Sequence, residues 1–279
     1  MKLHVIDTGF FKLDGGAMFG VVPKSLWQRT NEPDANNLCT WAMRCLLIED
    51  GNQLILIDNG IGNKQDEKFL KHYYLHGDAT LTKSLKSKGF SPDDITDMFQ
   101  THLHFDHCGG GVERKGDKLE LTFKNAKYWS NKDHWQWATV PNPREKASFL
   151  KENILPIEES GHLNYVPING DSPFKQFDIA TFDGHTDKQM VPMIKYNDKT
   201  IAFVADLLPS VGHIPLPYVM GYDTRPLLTM QEKEKFLNEA ADNGYILFLE
   251  HDAINECCTV KHTEKGVRLD QAFSLTEVL

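Results

Sequence analysis

Apolar and polar positions along the 279-residue chain fall into short runs of two alternating kinds. Val5 to Phe10, Trp41 to Glu49 and Leu54 to Asp58 read as strands, because compact apolar stretches bounded by turn residues fit a half-buried or buried sheet. Asp66 to His76 and Ala79 to Lys88 carry helical spacing, and Ile95 to Gln100 returns to a buried strand. Leu119 to Phe123 and Ala126 to Trp129 read as short strands, and Pro143 to Asn153 as a helix. Further on, Thr200 to Val204 is a strongly apolar strand. Thr229 to Asn243 places Phe236, Leu237 and Ala240 on one helical face, and Tyr245 to Leu249 is again a strand. Alternation of this kind predicts an α/β protein.

No linker, repeat or low-complexity tract divides the chain, so one domain over residues 1–279 is expected; 41% hydrophobic residues suffice for a two-layer core. No run approaches the ~20 apolar residues of a membrane span. Met1 to Asp7 lacks the apolar core and cleavage site of a secretory signal, which favours the cytoplasm. Cys39, Cys45, Cys108, Cys257 and Cys258 are odd in number and unpaired in spacing, as expected of reduced thiols. Cys108 is expected to be a small buried thiol rather than a ligand. A net charge of −9, from 39 acidic and 30 basic residues, argues against nucleic acid and for a small neutral or weakly anionic substrate.

Chemistry concentrates in six residues, His102 to His107, with sequence HLHFDH. Alternation along the extended segment sends His102 and His104 to one side, and the tighter turn carrying Asp106 and His107 lets those two reach a second ion. Imidazole and carboxylate are donors that zinc accepts, and Gly109, Gly110 and Gly111 let the backbone turn and approach closely. Four such side chains at this density read as half of a two-metal hydrolytic centre.

Thr101 to Gly110 resembles the HxHxDH signature of the metallo-β-lactamase-fold hydrolases. The resemblance continues in order through Asp58 before the signature, then His185, Asp206 and His251 after it. It implies a four-layer αβ/βα sandwich, two mixed β-sheets between outer helices. It further implies that His102, His104 and His185 hold one divalent ion, that Asp106, His107 and His251 hold the other, that Asp206 bridges them, and that Asp58 orients a ligand histidine from behind. Zinc is the first choice of metal, with manganese, iron or cobalt acceptable to the same donors. A water held between two such ions becomes a nucleophile at neutral pH, and Asp106 is a candidate to pass its proton to the leaving oxygen.

Within that superfamily the ligand series, with Glu250-His251-Asp252, is similar to the quorum-quenching N-acyl homoserine lactonases. One departure stands out: Pro209 occupies the place of the tyrosine that in those lactonases hydrogen-bonds the substrate carbonyl. His213 is the first candidate to replace it, with Tyr218 and Tyr222 behind. The alternatives are a phosphodiesterase, phosphotriesterase or arylesterase of the same fold, or a metal-binding protein without catalysis. Two aromatic-rich stretches, Met18 to Pro23 with Trp27 and Tyr128-Trp129 with His134 to Trp137, could build the apolar part of a pocket, although ordinary core and helix packing is the expected role of most of these residues. Gly15 to Phe19 reads as a mobile apolar loop that lines an acyl-chain site or joins a second subunit through Phe19 into a homodimer.

Overall fold

The structure is a computed structural model in which residues 1–168 and 170–278 are described. In chain order the elements begin with β1 (Lys2–Asp14), α1 (Gly15–Phe19), α2 (Lys24–Trp27), β2 (Leu38–Asp50), β3 (Gln53–Ile57), α3 (Glu67–Lys71), α4 (Leu81–Ser87) and β4 (Asp97–Phe99). Next come α5 (Phe105–Cys108), β5 (Val112–Lys115), β6 (Lys118–Leu121), β7 (Lys127–Ser130), α6 (Lys132–Thr139), α7 (Lys151–Glu159) and β8 (Leu163–Tyr165). The chain ends with β9 (Phe177–Phe182), β10 (Gln189–Tyr196), β11 (Lys199–Phe203), α8 (Pro226–Asn243), β12 (Ile246–Phe248), β13 (Cys257–Thr263) and β14 (Gly266–Phe273).

Two compact units result. The first comprises Met1–Gly9 and Met43–Pro173. Its main sheet runs in the order β1-β2-β3-β4-β7-β8, with a separate β5-β6 hairpin. Strand β3 pairs antiparallel with β2 and parallel with β4, and β4, β7 and β8 continue parallel. Because β3 and β4 run side by side in one direction, Asp58 and the HLHFDH segment both leave the same edge of the sheet. Crevices outside the carboxyl ends of parallel strands are where open α/β sheets place ligands. Behind that edge, Ile6, Leu47, Leu56, Met98, Phe123, Tyr128, Trp135 and Ile157 form a buried apolar cluster.

The second unit comprises Phe10–Ala42 and Phe174–Leu279. Its sheet runs β14-β13-β12-β11-β10-β9, and only β11 and β12 are parallel, with Ile201 opposite Ile246. These two strands therefore end together, setting Asp206 after β11 close to His251 after β12. Phe236, Leu237 and Ala240 of α8 pack with Val204, Leu247, Cys258 and Val260, so the helical face read from spacing is the face that is buried. Helix α8 closes at Gly244 in the left-handed conformation, the favoured residue for that position.

Several expected elements move. The helix expected over Pro143 to Asn153 begins only at Lys151 and continues to Glu159; residues 143–148 form turns, with Asn142 Oδ1 accepting from Arg144 N and Glu145 N and the Glu145 carbonyl accepting from Ser148 N and Phe149 N. His134 to Trp137 lie on helix α6, capped by the Asn131 carboxamide on His134 N, in keeping with the helix packing expected of most of these residues. Helices α3 and α4 are shorter than expected, each starting at a capping side chain, Asp66 and Thr80. Hairpins β9-β10 and β13-β14 had no counterpart in the sequence reading. Gly15 to Phe19 is a helix and not a loop. Its Phe19 is buried, stacked on Trp27 at 5.4 Å and on His213 at 4.3 Å between ring centres, so Phe19 presents no face to a second subunit. Among the described residues no helix is long and apolar enough to cross a membrane.

The glycine triplet shows why small residues follow the signature. A Cβ on Gly110 would lie 2.2 Å from the Asn59 carbonyl oxygen, which is backbone and cannot swing away. Gly110→Ala should therefore lower stability by about 3 kcal/mol, near the upper end for single substitutions. Gly116→Ala, with open space around it and only a left-handed φ to accommodate, should cost about 1 kcal/mol. Urea unfolding of both variants checks the ranking.

Candidate functional site

In the first unit, the residue after β3 takes an unusual backbone conformation: Asp58 has φ +56°, in the left-handed region. That bend turns its carboxylate onto the loop beyond β4. Asp58 Oδ1 accepts from Thr101 N at 2.8 Å, and Oδ2 accepts from Thr101 Oγ1 at 2.6 Å and from His107 Nδ1 at 3.1 Å. With its own proton given to Asp58, Thr101 Oγ1 is left to accept from His102 Nδ1, 3.1 Å away. His104 Nε2 lies 3.3 Å from Glu145 Oε1, a buried carboxylate. One nitrogen of each signature histidine is thus committed as a donor, which fixes the tautomer. Asp106 stands in α5 beside them, its Oδ2 3.9 Å from His107 Nε2.

The consequence falls on the remaining nitrogens. His102 Nε2 and His104 Nδ1 face each other across 3.1 Å, and both carry lone pairs. Two acceptors at that separation repel unless a proton or a metal cation lies between them. The loop is held in this shape by close backbone contact: Gly62 and Gly110 approach the neighbouring chain too tightly for a Cβ, and Lys64 Nζ donates to the Gly109 carbonyl. Burial pushes the Lys64 ammonium down to about 8. Cys108 is fully buried, its Sγ donates to Leu103 O at 3.3 Å, and burial pushes its thiol up to about 12, so it stays protonated.

The second unit repeats the logic. His185 Nδ1 donates to Asp223 Oδ1 at 2.9 Å, and His251 Nδ1 donates to the Ala42 carbonyl at 2.8 Å. Their Nε2 atoms face the two oxygens of one carboxylate, His185 to Asp206 Oδ2 at 3.0 Å and His251 to Asp206 Oδ1 at 3.1 Å. Lone pairs on nitrogen and oxygen again meet with no hydrogen to share. A proton is one remedy: burial disfavours the charged His185 ring, but the Asp206 and Asp223 charges outweigh it and raise the ring to about 10. A divalent cation is the other, and it satisfies both oxygens at once. Ala205, before Asp206, has φ +43°, a conformation alanine avoids and one that persists where surrounding structure imposes it. The donor types and their paired orientation fit metal ions in both units.

His213 has no free nitrogen. Its Nε2 lies 2.9 Å from the Met18 carbonyl and its Nδ1 2.9 Å from Ser210 Oγ, with Phe19 stacked on the ring. Burial pushes it down to about 3, leaving the ring neutral. Lys233 Nζ, from α8, donates to the carbonyls of His213, Pro215 and Tyr218 at 2.9, 3.3 and 2.7 Å, pinning the chain after Asp206. Pro209 is buried within that segment, Tyr218 sits edge-on to Phe19 at 6.3 Å, and Tyr222 is exposed. Sequence reasoning missed Glu145 and Asp223, since no spacing links either to the histidine it holds.

Known proteins place this geometry in context. The model of the metallo-beta-lactamase superfamily matches residues 44–251, well over half of the chain. The chain belongs to that superfamily. The N-acyl homoserine lactonase AiiA of Bacillus thuringiensis subsp. kurstaki is 28% identical over 181 residues, covering 61% of this chain and 60% of the lactonase, so the match spans about three fifths of that relative's length. A probable metal-dependent hydrolase from Staphylococcus aureus superposes with a TM-score of 0.88 at 27% identity, covering 98% of this chain and 96% of the other. The dizinc quorum-quenching lactonase AidC, in complex with a product, superposes with a TM-score of 0.81 at 23% identity, covering 98% and 97%, and attests the fold. The mixed α/β architecture, a six-stranded sheet with helices in each unit, agrees with these metallo-β-lactamase structures.

The buried His213 ring generates a pH test. In the unfolded chain a histidine takes up a proton near 6.5, whereas the native ring does so only near 3. Stability from this group is therefore present above pH 6.5 and lost as pH falls toward 3, because the unfolded state binds the extra proton. Between about pH 6.5 and 4, wild type should lose stability more steeply than His213→Gln, by up to ~1.4 kcal/mol per pH unit, measured by urea unfolding at matched metal load.

Proposed function

We propose that the chain is a binuclear metal-dependent hydrolase that opens N-acyl homoserine lactones. His102, His104 and His185 hold one ion, Asp106, His107 and His251 the other, and Asp206 bridges them. The carrying observation is the paired set of lone pairs, His102 against His104 and Asp206 against His185 and His251, in side chains whose opposite nitrogens are already tied down. Membership of the superfamily and the lactonase relatives support the reading. Zinc is the expected metal, with manganese, iron and cobalt suited to the same donors.

When bound, two divalent ions supply a Lewis acid for the substrate carbonyl oxygen and lower the pKa of a water toward 7. The chain's residues do the rest. Asp58, Glu145 and Asp223 hold three of the ligand rings in one orientation. Asp106 takes up the proton that the attacking water loses and passes it to the ring oxygen as the ester C–O bond breaks, so that lactone and water give a hydroxyl and a carboxylic acid, which releases its proton to solvent. His213, with both nitrogens engaged and Phe19 stacked on it, shapes the segment after Asp206, and contact with the substrate carbonyl would require it to release Met18 O or Ser210. One specific feature favours a second reading, an arylesterase or phosphotriesterase: Pro209 leaves the lactonase tyrosine position without a donor.

Protein purified without chelators should contain two equivalents of divalent metal by elemental analysis. It should also open homoserine lactones faster than it cleaves an aryl ester or bis(p-nitrophenyl) phosphate, and lose that activity on chelation. Absence of stoichiometric metal would sink the proposal, and preference for the phosphate or aryl ester would move it to the second reading. Asp206→Asn should lower turnover by at least ~100-fold. Asp106→Asn should do so with both metals retained, and full activity there would remove the proton-transfer role.

A further inference from the structure

His104 differs from the other signature histidines in what stands behind it. His102 and His107 are both tied, directly or through Thr101, to Asp58. His104 is instead backed by a carboxylate from a distant turn, Glu145, which is buried and itself gripped. Glu145 Oε2 accepts from Trp137 Nε1 at 2.7 Å and from Asn142 Nδ2 at 2.6 Å, leaving Oε1 toward His104 Nε2. With both N–H donors on Oε2, the other oxygen, Oε1, is the acceptor that faces the His104 ring. The same turn touches the signature segment twice more: Ser148 O accepts from Phe105 N at 3.0 Å, and Phe149 packs on the His104 ring at 4.8 Å between centres. Asn142 Oδ1 in turn accepts from the backbone N–H groups of Arg144 and Glu145, so the turn is tied to itself.

We infer that Glu145 is a positioning residue for the metal centre. Its carboxylate holds the proton of His104 on Nε2 and so makes Nδ1 the ligand atom, while Trp137 and Asn142 aim the carboxylate. The geometry supplies the reason: His104 Nδ1 is the nitrogen that meets His102 Nε2, and a ring of the other tautomer would present N–H there instead of a lone pair. The residues serve the metal reading given above and rest on it.

Metal affinity, measured by competition with a chromogenic chelator on the full chain, separates positioning from mere packing. Wild type should bind two equivalents of zinc. Glu145→Ala should weaken one of the two sites by ~10–100-fold and leave the other close to wild type, as loss of a carboxylate behind a ligand histidine does. Glu145→Gln, which keeps an acceptor but brings an NH₂ toward Trp137, Asn142 or His104, should fall between them. The cobalt-loaded absorption spectrum of Glu145→Ala should change in band position, which a destabilised but correctly liganded site would not show. Two sites of unchanged affinity and spectrum in Glu145→Ala overturn the inference while leaving the hydrolase reading intact; a wild type without metal overturns both. Should Glu145→Ala fail to fold in the metal-free state, Trp137→Phe removes one donor from the carboxylate, and an affinity within twofold of wild type in that variant also overturns it.

Discussion

A histidine can present a lone pair to a metal only if its other nitrogen has somewhere to put a proton, and this constraint organises the molecule. Five candidate ligand rings meet it in five ways: Thr101 Oγ1 behind His102, Glu145 behind His104, Asp58 behind His107, Asp223 behind His185 and the Ala42 carbonyl behind His251. Each acceptor fixes a tautomer and a ring orientation before any ion arrives. Within each unit lone pairs then face one another, His102 against His104 in the first and His185 and His251 against Asp206 in the second, an arrangement that a cation would relieve.

The fold makes those acceptors available through parallel strand pairing. Neighbouring strands that run the same way end at the same edge, so β3 and β4 deliver Asp58 and the signature segment together, and β11 and β12 deliver Asp206 and His251 together. Tight backbone contacts then hold the loops: Gly110 against Asn59, Lys64 on Gly109 O, and Lys233 on three carbonyls beyond Asp206. Backbone conformations that ordinary residues avoid, at Asp58 and Ala205, fall beside these same positions. Strain of that kind is retained where the surrounding contacts impose it, and here it turns a carboxylate toward its histidines.

Burial also redirects residues whose sequence context suggested exposure. Phe19 looked like an interface or acyl-chain residue, yet it lies between Trp27 and His213 as part of a stacked aromatic set. His213 looked like a donor toward substrate, yet its ring is neutral, desolvated and engaged on both sides. A polar side chain in a loop after a strand has several partners within reach, and local sequence cannot rank them.

By itself the sequence determined the strands that feed the site, the helix over Thr229 to Asn243 and the ligand types in HLHFDH, because period, apolar runs and donor chemistry are local properties written in consecutive residues. It also carried, through family likeness, His185, Asp206, His251 and Asp58. Only the tertiary structure decided which nitrogen of each ring faces the acceptor behind it, that Glu145 and Asp223 stand behind His104 and His185, and that residues 143–148 form turns. Glu145 and Asp223 stand 41 and 38 positions from the histidines they meet, and a hydrogen bond over such a separation leaves no period and no motif in the chain.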